Sequence, residues 1–264
     1  MRKYFLPLKA KPHCKINLGL HITGRREDGY HNIETIFLPI HALSDTLEIV
    51  DSDTPRIELD GIPLDTPPED NICFKAWQLL HDKYGVPPVC IRLNKRIPFG
   101  AGLGGGSSDA AFTLKLLNQK YLGLSDPILA EHAKQLGADC PFFIRNRVAY
   151  ATGIGDNLKR LRGFSLRGYR IVIEMPEGEH ISTKEAYQNL DTSLFNIPRP
   201  DLCKAVKQPV EEWRNLIIND FEASVFPAHP AVANLKEDMY RRGAVYASMS
   251  GSGAAVFGIF PSNR

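Results

Sequence analysis

The sequence predicts an α+β fold in two domains. Two observations carry this reading. Strand-like and helix-like stretches are intermixed without the regular strand–helix alternation of a doubly wound sheet. Charge and glycine also rise together near the middle of the 264-residue chain, in "GDNLKRLRGF". The expected boundaries are therefore 1–155 and 156–264. With 43% hydrophobic and 23% charged residues, the chain can build a sizeable core.

The elements follow in order. "KPHCKINLGLHITG" alternates: Cys14, Ile16, Leu18, Leu20 and Ile22 face one way, and Lys15, Asn17, Gly19 and His21 the other. That pattern predicts a half-buried strand. Asp28-Gly29 marks a turn in "RREDGYH". "IETIFLPI" and "DTLEIV" read as strands, and "PRIELDG" as part of an edge hairpin. "NICFKAWQLLHDKYG" predicts an amphipathic helix, with Ile72, Ala76, Leu79, Leu80 and Lys83 near one face and Gly85 at its end. "VCIRLNKRIP" returns as a strand. Ala110, Leu114, Leu117 and Tyr121 then recur at helical spacing. A further helix is expected with Asp126 as N-cap ahead of Pro127 and Gly137 as its stop.

"RVAYATGIG" reads as a strand, and "YRIVIEMP" opens the second domain as another. "STKEAYQNL" is a short helix capped at Ser182. "DTSLFNIPRPD" reads as loop, while "VEEWRNLIINDFEASVF" and "PAVANLKEDMYRRG" read as helical. "AVYASMSGSGAAVFGIF" reads as two strands around a Ser-Gly turn.

Composition narrows the function. The net charge is +2, from 32 basic and 30 acidic residues, which argues against a nucleic-acid partner. A small anionic ligand needs only a local field and stays open. Five scattered cysteines without C-x-x-C spacing suggest neither a disulfide framework nor a zinc site. Reduced thiols and a cytoplasmic location are expected. "MRKYFLPLKAKPHC" lacks the apolar run of a signal peptide, and no segment is apolar for long enough to span a bilayer. The spacing of His21, His31 and His41 fits no metal geometry.

The chemistry-bearing stretch is "GAGLGGGSSDAA", in which five of the first seven residues are glycine. A P-loop would need a lysine after the glycines, and none is present. Gly100, Gly102 and Gly105 match G-x-G-x-x-G, but not at the first strand–helix unit where a dinucleotide fold carries it. A protein-kinase loop would be accompanied by H-R-D and D-F-G, which are absent. A mobile linker fits poorly, because serines and a strong helix follow at once. A glycine turn feeding a helix N-terminus presents bare amides and partial positive charge, which suits a polyphosphate. Ser107 and Ser108 can then cap the helix, bond phosphate oxygens or help hold magnesium.

"PFGAGLGGGSSDAA" resembles the second motif, P-x-x-x-G-L-G-S/G-S-S, of the GHMP kinase superfamily, which includes galactokinase, homoserine kinase and mevalonate kinase. "KPHCKINLGL" is similar to the first motif and "SMSGSGAAVFGIF" to the third. Order and spacing agree, so the resemblance spans nearly the whole chain. It implies a two-domain GHMP kinase fold with the active site in the cleft between the domains, and ATP with Mg2+. The implied ATP-binding residues are Pro98, Phe99, Gly100, Ala101, Gly102, Leu103, Gly104, Gly105, Gly106, Ser107 and Ser108, with Ser108 the candidate magnesium ligand. Superfamily members commonly continue past "AVFGIF" with another helix and strand, so the second domain is expected to be short at its C-terminus.

"CKINLGLHITGRREDGYHNIET" and "LGADCPFF" resemble the branch that phosphorylates the 2-hydroxyl of a cytidine-diphosphate sugar alcohol in non-mevalonate isoprenoid synthesis. Cys14 stands where that branch usually has alanine. The resemblance implies Asp139 as the base for the acceptor hydroxyl and Lys15 as the charge that keeps Asp139 ionised and neutralises developing charge. Asn17 is implied to bond the acceptor. Tyr30, His31, Tyr187 and Thr183 are implied at the cytidine end. Asn71 and Lys95 either border the adenine pocket or serve as helix start and strand-end charge. Ser250, Gly251, Ser252 and Gly253 either shape the acceptor site or only turn the chain. The expected partners are ATP and the cytidine-diphosphate sugar alcohol, with the chain a monomer or weak dimer. Another small-alcohol kinase of the superfamily, of mevalonate or homoserine type, or a non-catalytic nucleotide-binding module, is the alternative.

Overall fold

A computed structural model describes residues 8–63, 66–190 and 192–262, without the side chains of 194 and 196. Residues 1–7, which begin the stretch read above for a secretory signal, and Asp191 of the expected loop lie outside the described residues. The chain packs as two compact units, each assembled from separate stretches. One holds residues 8–14, 40–99 and 104–146, and the other 15–39, 100–103 and 147–262.

Strands β1 (Leu8–Ala10), β2 (His13–Arg25), β3 (His31–Ser44), β4 (Thr46–Asp51) and β5 (Arg56–Gly61) precede helix α1 (Ile72–Tyr84) and strand β6 (Val89–Lys95). The sheet of the first unit runs in the order β1-β4-β6-β5. Strand β5 is an edge, as expected, but it pairs parallel with β6 rather than forming a hairpin. Helix α1 intervenes in sequence, so the chain travels back before β6 begins. Asn71 caps α1 by accepting the Cys73 amide at 2.9 Å, and Gly85 ends it in the left-handed region at φ 70°. The buried face is Cys73, Ala76, Trp77 and Leu80: Ala76 and Leu80 are buried as expected, while Ile72 and Leu79 are half-buried and Lys83 is exposed. The Trp77 indole sets this phase, its N–H reaching the Pro87 carbonyl at 3.0 Å.

Helix α2 (Gly105–Leu117) leaves the glycine loop and relaxes into a π-turn at 118–122. Helix α3 (Asp126–Lys134) starts one residue earlier than expected: Ser125 is its N-cap and Asp126 its first residue. Helix α4 (Cys140–Arg145) was not anticipated, because six residues show too little periodicity.

In the second unit, β7 (Ala149–Thr152) and β8 (Asn157–Arg160) complete a sheet of order β2-β3-β7-β8. Strand β8 lies inside the stretch taken as the domain junction. Strand β9 (Tyr169–Glu174), helices α5 (Thr183–Gln188), α6 (Leu202–Ala205), α7 (Trp213–Leu216), α8 (Phe221–Ala228) and α9 (Pro230–Arg241), and strands β10 (Tyr246–Met249) and β11 (Val256–Pro261) follow. Their sheet runs β10-β11-β9. The expected loop after α5 contains a 3-10 turn at Thr192–Asn196. The core gathers Leu20, Ile22, Phe221, Val225, Met239, Met249 and Val256. Ser182 caps α5 as expected, accepting the Glu185 amide.

Two expectations fail for one reason. Strand β2 is buried at ten consecutive residues, His13 to Ile22, rather than on one face. The expected long helix over "VEEWRNLIINDFEASVF" breaks at 217–220. Strand β2 is the edge of its sheet, and segment 217–220 covers that edge. The Leu20 amide donates to the Ile218 carbonyl at 2.9 Å, and the Asp220 amide to the Leu20 carbonyl at 2.8 Å. The Asp220 carboxylate accepts the Ile22 amide and forms an ion pair with the Arg199 guanidinium. Pairing an open edge outweighs helix propensity.

The first unit also buries charge. Lys95, at the end of β6, donates to the carboxylates of Asp45 and Asp109. All three side chains are at most 4% exposed. Asp45 also accepts the amides of Arg96 and Ile97. Lys95 stands just before the glycine loop and Asp109 just inside α2, so one ammonium staples the two ends of segment 96–108. Burial pushes the Asp109 carboxyl up to about 8, against the pull of Lys95. The folded state therefore holds a proton that the unfolded chain releases near pH 4. That contribution to stability is complete below pH 4 and is lost as pH rises towards 8. Urea unfolding at pH 5 and pH 8 should show wild type losing more stability over this interval than Asp109→Asn, by at most about 1.4 kcal/mol per pH unit. Equal losses would mean that Asp109 is ionised in the folded protein.

Candidate functional site

The site is built outward from β2. Lys15 is 4% exposed, so it is not the solvated strand lysine that is commonest. Its ammonium donates to Asn17 Oδ1 at 2.6 Å and stands 5.0 Å from the centre of the Phe37 ring. Asn17 Nδ2 donates to Thr35 Oγ1 at 3.0 Å, from β3.

The exposed edge of β2 also meets the glycine loop. The Lys15 amide donates to the Leu103 carbonyl at 2.9 Å, and the Ala255 amide to the Ala101 carbonyl at 3.2 Å. Ser250 Oγ donates to the Gly102 carbonyl at 3.0 Å and accepts the Asn17 amide at 3.3 Å. Three consecutive loop carbonyls are thus held by the first and third glycine-rich stretches. The amides of residues 101–106 have no hydrogen-bond partner among the described residues. Peptide groups that lend their oxygens to the protein and keep their N–H groups unspent make an anion cradle. The dipole of α2 adds positive charge at its first turn.

Gly102 makes this possible. Its φ is +71°, and a Cβ there would lie 1.9 Å from the Ser250 carbonyl oxygen. Gly104, also left-handed at φ 68°, is the N-cap of α2. Ser107 and Ser108 therefore lie within the first turn and do not cap the helix, which removes one of the three roles open to them. Burial pushes the Cys140 thiol up to about 12, against the pull of Ser107 beside it. Ser108 is fully buried, and its hydroxyl has no partner among the described residues. Phe99 is 68% exposed beside the half-buried Pro98.

Asp139 stands at the N-terminal end of α4, half-buried, with its side chain not used for capping. The tight turn ahead of it brings Gly137 close to Ser107, where a Cβ on Gly137 would be 3.8 Å from Ser107 Oγ. In the second unit, the His31 and Tyr187 rings stack at 4.6 Å with 15° between planes. Burial first, and then Arg25, lower the His31 pKa, so its ring is neutral at pH 7. Tyr187 also packs edge-on against Phe221. Thr183 Oγ1 lies 3.3 Å from Ser252 Oγ, on the turn between β10 and β11. Tyr30 is 62% exposed at the tip of the β2–β3 hairpin.

For the residues left with two readings, the geometry decides locally. Asn71 is the helix cap, and Lys95 is committed to Asp45 and Asp109. The Ser250–Gly253 segment turns the chain and also holds the glycine loop. Asn219 fixes that turn, its Nδ2 donating to the carbonyls of Met249 at 2.9 Å and Gly251 at 2.8 Å. Thr35 closes "CKINLGLHITGRREDGYHNIET" and Asp109 lies in "GAGLGGGSSDAA", yet the sequence assigned no role to them or to Asn219 and Asp45, since each acts through a partner far away in the chain.

Gly102→Ala should weaken tripolyphosphate binding at least ~10-fold, because both the left-handed φ and the Ser250 carbonyl oppose a Cβ. Gly100→Ala meets the same φ penalty in open space, with nothing within 4 Å of a Cβ, and should weaken it much less. Equal effects in titration calorimetry would show that the close approach does not shape the cradle.

Residues 71–147 match the GHMP kinases N terminal domain, and residues 201–264 match the GHMP kinases C terminal domain. A 4-diphosphocytidyl-2-C-methyl-D-erythritol kinase of Azobacteroides pseudotrichonymphae is 48% identical over 95% of this chain and 92% of its own. The Porphyromonas gingivalis kinase of the same name is 50% identical over 94% of this chain and 90% of its own. A crystal structure of 4-(cytidine 5'-diphospho)-2C-methyl-D-erythritol kinase superposes with a TM-score of 0.80 at 34% identity, over 95% of this chain and 89% of that one. The Methanococcus jannaschii mevalonate kinase structure shares the fold, with a TM-score of 0.65 at 16% identity over 100% of this chain and 92% of that one. With its α+β architecture, its three glycine-bearing stretches and relatives this similar along almost its whole length, the chain belongs to the GHMP kinases, in the 4-diphosphocytidyl-2-C-methyl-D-erythritol kinase family.

Proposed function

We propose that the protein transfers the γ-phosphoryl group of ATP to the 2-hydroxyl of 4-diphosphocytidyl-2-C-methyl-D-erythritol, releasing ADP and the 2-phosphate. One observation carries the donor half: the row of unspent amides at 101–106, opening onto a helix N-terminus. The acceptor half is supported by near-full-length relatives of that name.

Phosphoryl transfer asks the protein for position and electrostatic stabilisation more than for covalent chemistry. The amides of 101–106 hold the polyphosphate and accept the charge that accumulates on its oxygens. Asp139 takes the proton of the acceptor hydroxyl. Lys15 supplies positive charge beside the reacting oxygen, and Asn17 bonds the acceptor. His31 and Tyr187 offer aromatic faces to the cytosine, with Tyr30 and Thr183 at the same end.

Magnesium, when bound with ATP, neutralises the β- and γ-oxygens. No group of three or more His, Cys, Asp or Glu among the described residues is placed to hold a metal. Phosphate oxygens and water would supply most of its ligands, as is usual for Mg2+. Ser108 is the side chain that fits as its protein ligand, being a buried hydroxyl without a partner.

The domain boundaries at 1–155 and 156–264 belong to the same reading, supported by family matches falling on either side of them. The protein works in the cytoplasm on two small anions, without nucleic acid or membrane, as a monomer or weak dimer. In support, charge is balanced, and no helix among the described residues is long and apolar enough to cross a membrane.

ADP release with ATP–Mg2+ and a panel of acceptors tests the whole reading. Turnover of the cytidylyl compound is expected; turnover of mevalonate or homoserine in its place would overturn it. Asp139→Asn should lower kcat by ~10²–10⁴-fold with little change in ATP affinity. Lys15→Ala should lower kcat too, with the double variant losing less than the product of the two effects. A kcat within twofold of wild type for Asp139→Asn would assign the proton elsewhere.

A further inference from the structure

We infer that Thr35, outside all three glycine-bearing motifs, is a positioning residue that fixes which way the Asn17 amide faces and so where the Lys15 ammonium stands. The inference rests on the proposed roles of Lys15 and Asn17. Its physical basis is the polarity of a buried hydrogen-bond chain.

That chain begins at a carbonyl. Thr35 Oγ1 donates to the Gly19 carbonyl at 2.5 Å, and a carbonyl can only accept. The one hydroxyl proton of Thr35 is thereby spent, so its oxygen can only accept from Asn17. The Asn17 group facing Thr35 must therefore be the NH2, at 3.0 Å. The amide oxygen then points the other way, and the Lys15 ammonium, which can only donate, meets it at 2.6 Å. No member can be reversed without facing donor against donor. Lys15, Asn17 and Thr35 are each at most 4% exposed, so water does not relieve such a clash.

Gly19 anchors the chain because its carbonyl is aimed by a left-handed backbone, at φ +67°. A Cβ there would lie 2.6 Å from Leu202 Cδ2 and 3.0 Å from Ile217 Cγ2. Lys15, Asn17 and Gly19 recur at every second residue of β2, and Thr35 faces them from β3. A hydroxyl at 35 is therefore required where any β-branched residue would satisfy the strand.

Three variants separate this role from simple packing. Thr35→Val keeps the shape and removes the hydroxyl; kcat should fall about 10-fold to 100-fold, with the KM for ATP within twofold of wild type. Thr35→Ser keeps the hydroxyl and should restore kcat to within about threefold. In an Asn17→Ala background, Thr35→Val should cause no further loss, because the group it orients is gone.

A second readout does not need turnover. The Asn17 side-chain NH2 should give an exchange-protected NMR signal in wild type and Thr35→Ser, and lose that protection in Thr35→Val. Serine behaving like valine, multiplicative losses with Asn17→Ala, or unchanged protection in Thr35→Val would each overturn the inference. Wild-type failure on the cytidylyl acceptor with Asn17 protection intact would sink the proposed acceptor and leave the relay standing.

Discussion

The structure depends on how the open edge of β2 is covered. An edge strand presents unpaired amides and carbonyls, and proteins must cover, charge or pair them. Here no further strand is added. Leu103 takes the Lys15 amide, Ser250 takes the Asn17 amide, and segment 218–220 takes those of Leu20 and Ile22. The first of these contacts turns a loop carbonyl inward, and Ser250 and Ala255 do the same for the two before it. A peptide group whose oxygen faces the protein has its N–H free for something else. The anion cradle is thus a by-product of satisfying a sheet edge, and the glycines are what let the backbones come close enough.

Charge is handled differently in the two units. In the first, Lys95 is locked between Asp45 and Asp109, and the proton held by Asp109 avoids a net buried negative charge. Such a cluster costs desolvation and adds little net stability, but losing one partner is expensive. Its effect is to hold the strand exit and the helix start in register across a long glycine-rich segment. In the second unit, the Lys15 ammonium donates to Asn17 and stands over the face of Phe37, and Asn17 in turn donates to Thr35. Buried, fully oriented side chains of this kind need no reorganisation as charge develops.

Much of the site was legible as types at spacings. Alternation placed Lys15, Asn17 and Gly19 on one strand face, and the glycine run followed by helix formers announced a bare backbone turn ahead of a helix N-terminus. Asp139 stood out only through the resemblance of "LGADCPFF", since a single aspartate at a turn is usually structural. Thr35 was invisible because a threonine in a strand needs no explanation. Asn219 and Asp220 were misread as helix interior, although each is spent on a segment far away in the chain: Asn219 on the Met249–Gly251 turn, Asp220 on β2.

What the sequence determined by itself is what local chemistry determines. Backbone freedom at Gly102 and Gly104, strand alternation, the cap at Ser182 and the stop at Gly85 all act within a few residues. Only the tertiary structure decided that β2 is buried on both faces, that β5 runs parallel to β6, and that the helix expected across 217–220 breaks there. It also decided that the amides of 101–106 and the Ser108 hydroxyl are left without partners among the described residues. Each of these depends on which groups satisfy a buried hydrogen bond, and those partners lie too far apart along the chain for any local pattern to name them.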